Sequence, residues 1–103
     1  MNNLSIIIPN WNGERQLKKN LPLLFNVLAK FRGESEAIII DDKSEDESRK
    51  YLKGLIADNK KNLPRIKLIF NEKNLGFGRS VNKGVKSACY EIVFLLNTDV
   101  EVK

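Results

Sequence analysis

The sequence predicts an α/β domain: a parallel sheet of about four strands flanked by helices. Four short apolar runs, at residues 4–8, 37–40, 66–70 and 92–96, recur along the chain, and helical periodicity follows each of the first three. Runs such as IIII and IVFLL carry no polar alternation, which is expected of strands buried on both faces beneath helices. With 103 residues, 42% of them hydrophobic, the chain has material for one domain, spanning 1–103, and not for two separate cores.

The elements follow in order. After the first run, Leu17, Leu21, Leu24, Leu28 and Phe31 recur at steps of three or four and mark the buried face of a helix, which Pro22 is expected to kink or restart after Asn20. After the second run, Ser44 with Glu47 three residues on reads as a capping box, and Leu52, Leu55 and Ile56 supply the buried stripe. A third helix over about 78–88 places Val81, Val85 and Ala88 on one side, leaving Asn82 and Gly84 on another. No linker, repeat or low-complexity segment interrupts the series.

The 18 Lys and Arg against 13 Asp and Glu give a formal charge of +5, which suits phosphate-bearing ligands, nucleic acid or an acidic membrane surface about equally. The cations are dispersed and have no aromatic stacking platform among them, so a nucleic-acid partner is not expected. Cys89 is the one cysteine, which excludes an intramolecular disulfide; at a helix end it reads as a small core residue. The N-terminus has no cationic start, and Ile6 to Ile8 is too short for a signal peptide or a membrane span, so a cytoplasmic chain is expected.

Ligands of open parallel sheets bind beyond the carboxyl ends of the strands, and each notable motif here lies at such an end. The first is Pro9-Asn10-Trp11-Asn12-Gly13, in which proline stiffens the strand exit and Asn12 is suited to cap the next helix. The second is Asp41-Asp42-Lys43-Ser44, followed by Glu45, Asp46 and Glu47. The last three suit the first turn of a helix as solvated charges. Asp41 and Asp42, at the strand end itself, can accept hydrogen bonds from a nucleobase imide or a ribose hydroxyl. The third motif runs from Asn71 through Asn74 to Arg79, with Gly76 and Gly78 relieving backbone crowding beside a helix start and Arg79 adding a phosphate-compatible cation. The fourth, Asn97-Thr98-Asp99, sets one carboxylate where a hard divalent ion could bridge it to a diphosphate.

Taken together, IIIPNWNG, IIIDDKSEDES, NLGFGRSVNKG and VFLLNTDVEV stand in the order and rough spacing of the family 2 glycosyltransferases, and the resemblance covers essentially the whole chain. It implies a Rossmann-like GT-A fold of which this chain is the N-terminal, nucleotide-sugar-binding portion. By that resemblance the segment Pro9, Asn10 and Asn12, the acids Asp41 and Asp42, and Asn74, Gly76, Arg79 and Asn97 bind the donor nucleotide, with Asp42 matching the base-contacting acid best. The family's metal motif is commonly Asp-x-Asp; here Asn97 replaces the first acid and Asp99 remains as the ligand for Mg or Mn. An Asn-x-Asp variant resembles the rhamnosyltransferase-like branch that builds bacterial surface polysaccharides, which implies a deoxythymidine- or uridine-diphosphate sugar.

The family's inverting reaction uses a carboxylate base, expected beyond Lys103, so the implied function is donor binding for transfer to a glycan or lipid-linked acceptor without catalytic completeness. The full-length enzyme is expected at the inner face of the membrane. With no later strand to pair with, the uncharged fourth run invites self-association. A receiver-like signalling domain is the alternative, but it would carry its acids after the first strand and its phosphoacceptor after the third, where Pro9 and Asn71 stand. A nicotinamide-binding fold would need its glycines after the first strand.

Overall fold

Strand and helix alternate through the described residues as β1 (Leu4–Asn10), α1 (Glu14–Ala29), β2 (Ser35–Asp41), α2 (Ser48–Ala57), β3 (Arg65–Phe70), α3 (Phe77–Ser87) and β4 (Ile92–Leu95). The structure is a computed structural model that describes residues 3–57 and 65–95, the last four as backbone. All pairings are parallel and the strand order is β3-β2-β1-β4. The expected parallel α/β sheet is therefore present, with β4 beside β1. The chain steps outward from β1 to β3 and then returns to the far side of β1, which puts the topological switch point between β1 and β4.

Side chains that alternate along each strand divide the core in two. Leu4, Ile6 and Ile8 of β1 and Ala37 and Ile39 of β2 pack with Leu17, Leu21, Phe25 and Leu28 of α1 and Leu52 of α2. Ile7, Ile38 and Ile40 lie on the opposite face, where α3 covers the sheet. Burial on both faces explains why these runs lack polar alternation. The edge strand β3 is only partly covered, and Ile66, Leu68 and Phe70 pack against the rim of the first cluster.

Several local expectations are corrected. α1 runs unbroken through Pro22; its buried face includes Phe25 and Asn20, while Phe31 lies beyond the helix and is exposed. α2 begins at Ser48 instead of Ser44, because the Ser44 hydroxyl bonds to the Asp41 carboxylate, so no capping box forms. Its stripe narrows to Leu52, with Leu55 half-buried and Ile56 exposed. On α3 the buried positions are Ser80 and Gly84, and Val85 is exposed. Gly84 faces the sheet because only a residue without a side chain fits: a Cβ there would lie 2.6 Å from Ile40 Cδ1 and 2.9 Å from Ile7 Cγ2.

Cys89 is exposed, not a core residue. Its sulfur accepts a hydrogen bond from Lys67 Nζ at 3.1 Å, and that ammonium also pairs with the buried Glu36 carboxylate at 3.1 Å. Burial by itself would raise the Glu36 carboxyl, but the Cys89 amide, the Ser5 hydroxyl and Lys67 outweigh it and hold the group below the usual range. This polar cluster lies toward the amino ends of the strands, away from the motifs. Among the described residues no helix is long and apolar enough to cross a membrane. The side chains of β4, including Phe94, lie outside the described residues.

Candidate nucleotide-binding site

Three loops meet at the carboxyl ends of β1, β2 and β3, and side chains from the β2 end connect them. The first two loops are joined reciprocally. The Asn12 amide donates to Ser44 Oγ at 2.9 Å, while Asn12 Oδ1 accepts from the Glu45 amide at 2.7 Å. The Glu14 amide donates to Asp46 Oδ2 at 3.1 Å, and Glu14 Oε1 accepts from the Glu47 amide at 3.1 Å. Asp46 also accepts from the Ser48 amide, so one carboxylate satisfies the first turns of both α1 and α2. Asn12 was expected to cap α1, but that position belongs to Gly13 and no side chain on it caps the helix. Asn12 (φ 52) and Lys43 (φ 56) take left-handed backbone, a conformation that Asn tolerates better than most residues.

The adjacent acids Asp41 and Asp42 point to different tasks. Asp41 is fully buried and accepts from Asn10 Nδ2 (2.9 Å), Ser44 N (2.9 Å), Ser44 Oγ (2.6 Å) and Arg49 Nε (2.7 Å). Arg49 reaches on to the Asn71 carbonyl at 2.6 Å and stacks on the Phe70 ring, 5.1 Å from its centroid. Every near partner of Asp41 thus belongs to the scaffold of the loops.

Asp42 turns toward the β3–α3 loop. Its Oδ1 accepts from Asn71 Nδ2 at 3.0 Å and the Leu75 amide at 2.7 Å, and its Oδ2 from the Gly76 amide at 3.0 Å. Burial alone would raise this carboxyl; the donors from Leu75, Asn71 and Gly76 prevail and hold it below the ordinary aspartate range. It is therefore an ionised, acceptor-only group at neutral pH. The bonds also set Gly76 at φ 90, a left-handed value that favours glycine, at the N-terminus of α3.

The remaining sequence candidates take distinct places. Pro9 and Asn10 are buried at the end of β1, and the Asn10 carbonyl accepts the Asp42 amide at 2.8 Å. Asn74, Gly76 and Arg79 are exposed around the turn into α3. Asn97 and Asp99 lie outside the described residues, as does any metal geometry at them; among the described residues no group of three His, Cys, Asp or Glu is placed to hold a metal ion. Sequence reasoning missed Asn71, Ser80, Lys83 and Arg49, which fix the acids, and the exposed Trp11 and Phe77. An Asn at the end of a strand facing an Asp at the end of its neighbour was the available signal for Asn71.

Comparison with known proteins places this arrangement. The family model for glycosyl transferase family 2 matches residues 5–103. A glycosyltransferase of Nostoc sp. (strain PCC 7120) is 35% identical over 97 residues, covering 93% of this chain and 28% of that protein. The dolichyl-phosphate beta-glucosyltransferase of Trichomonas vaginalis is 29% identical, over 97% of this chain and 31% of its own length. The chain thus spans under a third of these relatives. Among solved structures, S. aureus TarS 1-349 in complex with UDP-GlcNAc aligns with a TM-score of 0.74 and 28% identity, over 96% of this chain and 27% of that one. The mannosyltransferase PcManGT of Pyrobaculum calidifontis, in complex with GDP-Man and Mn2+, shares the fold with a TM-score of 0.78 at 18% identity, over 95% of this chain and 28% of that one. A receiver-like domain finds no support, since the paired acids follow β2. The order of the loops, the acids that join them and the family match over nearly the whole length agree: this chain belongs to the family 2 glycosyltransferases.

Proposed function

We propose that this chain is the donor-binding part of a glycosyltransferase that moves a sugar from a nucleoside diphosphate to a glycan or lipid-linked acceptor in cell-surface polysaccharide synthesis. The observation that carries this reading is the state of Asp42. An ionised carboxylate offers about four acceptor positions and no donor; the Asn71–Gly76 turn reaches Oδ1 twice and Oδ2 once, and the Ser80 hydroxyl is a further donor beside it. Such a group accepts and cannot donate, which suits the imide N–H of uracil or thymine. Trp11, 57% exposed just after β1, offers an aromatic face for the same base.

A uridine or deoxythymidine diphosphate follows as the donor nucleotide, and the UDP-GlcNAc bound to TarS supports that class. Asn10 and Asn12 support the base-side loop, Asn74 and Gly76 shape the turn, and Arg79 at the start of α3 meets the diphosphate. Asp99, helped by the Asn97 amide, holds Mg or Mn; when bound, that ion stabilises charge on the departing diphosphate. The Asn-x-Asp motif supports the rhamnosyltransferase-like branch. The full-length enzyme works at the inner face of the membrane.

Calorimetry with UDP and magnesium tests the core of this. Binding by the chain that falls about tenfold or more in Asp42→Ala is expected, in keeping with about 1.5–3 kcal/mol for a hydrogen bond to a charged group. Undetectable binding at millimolar UDP, or binding unchanged in Asp42→Ala, would remove the reading. For the metal, Asp99→Asn should lose the enhancement by magnesium or manganese that the parent shows; equal enhancement in both would exclude Asp99.

A further inference from the structure

We propose that Asn71 is a positioning residue for nucleotide binding: it orients Asp42 and holds the neighbouring position free of negative charge. The inference rests on the reading of Asp42 given above. Asn71 directly follows β3 and is 1% exposed, with every polar group engaged. Its main-chain amide donates to the Asp41 carbonyl at 2.9 Å, and its own carbonyl accepts Arg49 at 2.6 Å. Its side-chain Nδ2 donates both to Asp42 Oδ1 and to Ser80 Oγ, each at 3.0 Å, and its Oδ1 accepts Lys83 Nζ at 2.8 Å.

The Lys83 contact decides which way the amide points, because an ammonium only donates. With the carbonyl oxygen turned to Lys83, both N–H groups must face Asp42 and Ser80. A flipped amide would set two acceptors, Oδ1 and the carboxylate, against each other. Asn71 therefore joins α3 to the base-facing acid from a buried position.

Replacing Asn71 with an acid gives a test that a packing role alone would not pass. In Asn71→Asp an acceptor oxygen replaces the donor to Asp42. Two carboxylates at such a distance cannot both ionise without strong repulsion, so the pKa of the introduced acid is raised. Below that value it is protonated and can donate to Asp42 again; above it, it repels Asp42. Lys83 and Arg49 favour its charge and lower the pH at which recovery occurs, without changing the sign. Asp41 stays committed to Asn10, Ser44 and Arg49, and Glu72 and Lys73 follow in the exposed turn.

The expected result, measured with UDP by calorimetry, is binding about tenfold weaker than the parent at neutral pH, recovering as the pH falls. Asn71→Ala should be weakened to a similar extent without recovery, and the parent should show no such slope. Parent-like affinity of Asn71→Asp at neutral pH, or a loss with no pH dependence in a folded variant, would overturn the proposal. Should Asn71→Asp not fold, Lys83→Met at its exposed position serves, read by NMR with uridine, which has no phosphate for Lys83 to meet. Weaker uridine binding supports the proposal, and unchanged binding overturns it. Asp42→Ala separates the two levels: if it binds UDP like the parent, the reading of Asp42 fails as well, whereas loss in Asp42→Ala with none in Asn71→Asp defeats only the role of Asn71.

Discussion

At the scale of single residues, the adjacent acids of one motif meet different partners, Asp41 the first two loops and Asp42 the β3–α3 turn, because strand geometry turns successive side chains to opposite sides. Asp41 meets Arg49 in a setting where the carboxylate has no exposure. Removing one partner of a buried pair costs about 3–5 kcal/mol, and the partial exposure of Arg49 places Arg49→Met at the lower end. A urea midpoint should show a loss of about 3 kcal/mol; a midpoint like the parent's would show that Asn10 and Ser44 suffice. Asp42 contributes differently. Because its folded pKa is depressed, the stability it contributes is complete above the pKa of the unfolded chain and is lost as the pH falls toward the folded value. Asp42→Asn should therefore unfold with a shallower dependence on pH through the acid range, followed by circular dichroism. An unchanged acid transition would mean that Asp42 is not held by the turn.

At the scale of elements, much of the architecture was legible because buried parallel strands announce themselves as unbroken apolar runs. The helix faces were less so. Periodicity selected Val81 and Val85 for the buried side of α3, yet the helix approaches the sheet on Ser80 and Gly84, whose small size permits that approach. An apolar-residue pattern cannot register a face defined by the lack of a side chain. Gly84→Ala tests this: the new methyl meets the stiff, branched Ile7 as well as the end of Ile40, and overpacking of this kind costs about 1–3 kcal/mol. Some of that is offset by about 1 kcal/mol of helix propensity. A variant more stable than the parent in thermal melts would contradict the close packing. The loops were legible as motifs but not as partners, because Ser44 bonding to Asn12 and Asp46 bonding to Glu14 join residues distant in sequence. Local capping rules therefore assigned both serine and asparagine to the wrong neighbour.

At the scale of the whole molecule, the strand order turns separate motifs into one site. The strand order puts a switch point between β1 and β4, the place where ligands of such sheets bind, and reciprocal bonds between the first two loops hold that end of the sheet in shape. The uncharged run 92–96 continues to predict self-association: a sedimentation profile that shifts with concentration, and shifts less in Phe94→Lys, is expected, and a monomer at all concentrations would refute it. The claim on which the rest depends is that an ionised Asp42, held by Asn71 and the turn, accepts the imide of a pyrimidine base. It is tested most directly by titrating the parent and Asp42→Ala with UDP and with its N3-methyl derivative, which has no imide hydrogen. The account predicts that methylation weakens binding to the parent by about tenfold or more and has little further effect on Asp42→Ala. The same loss in both proteins, or none in the parent, would contradict it.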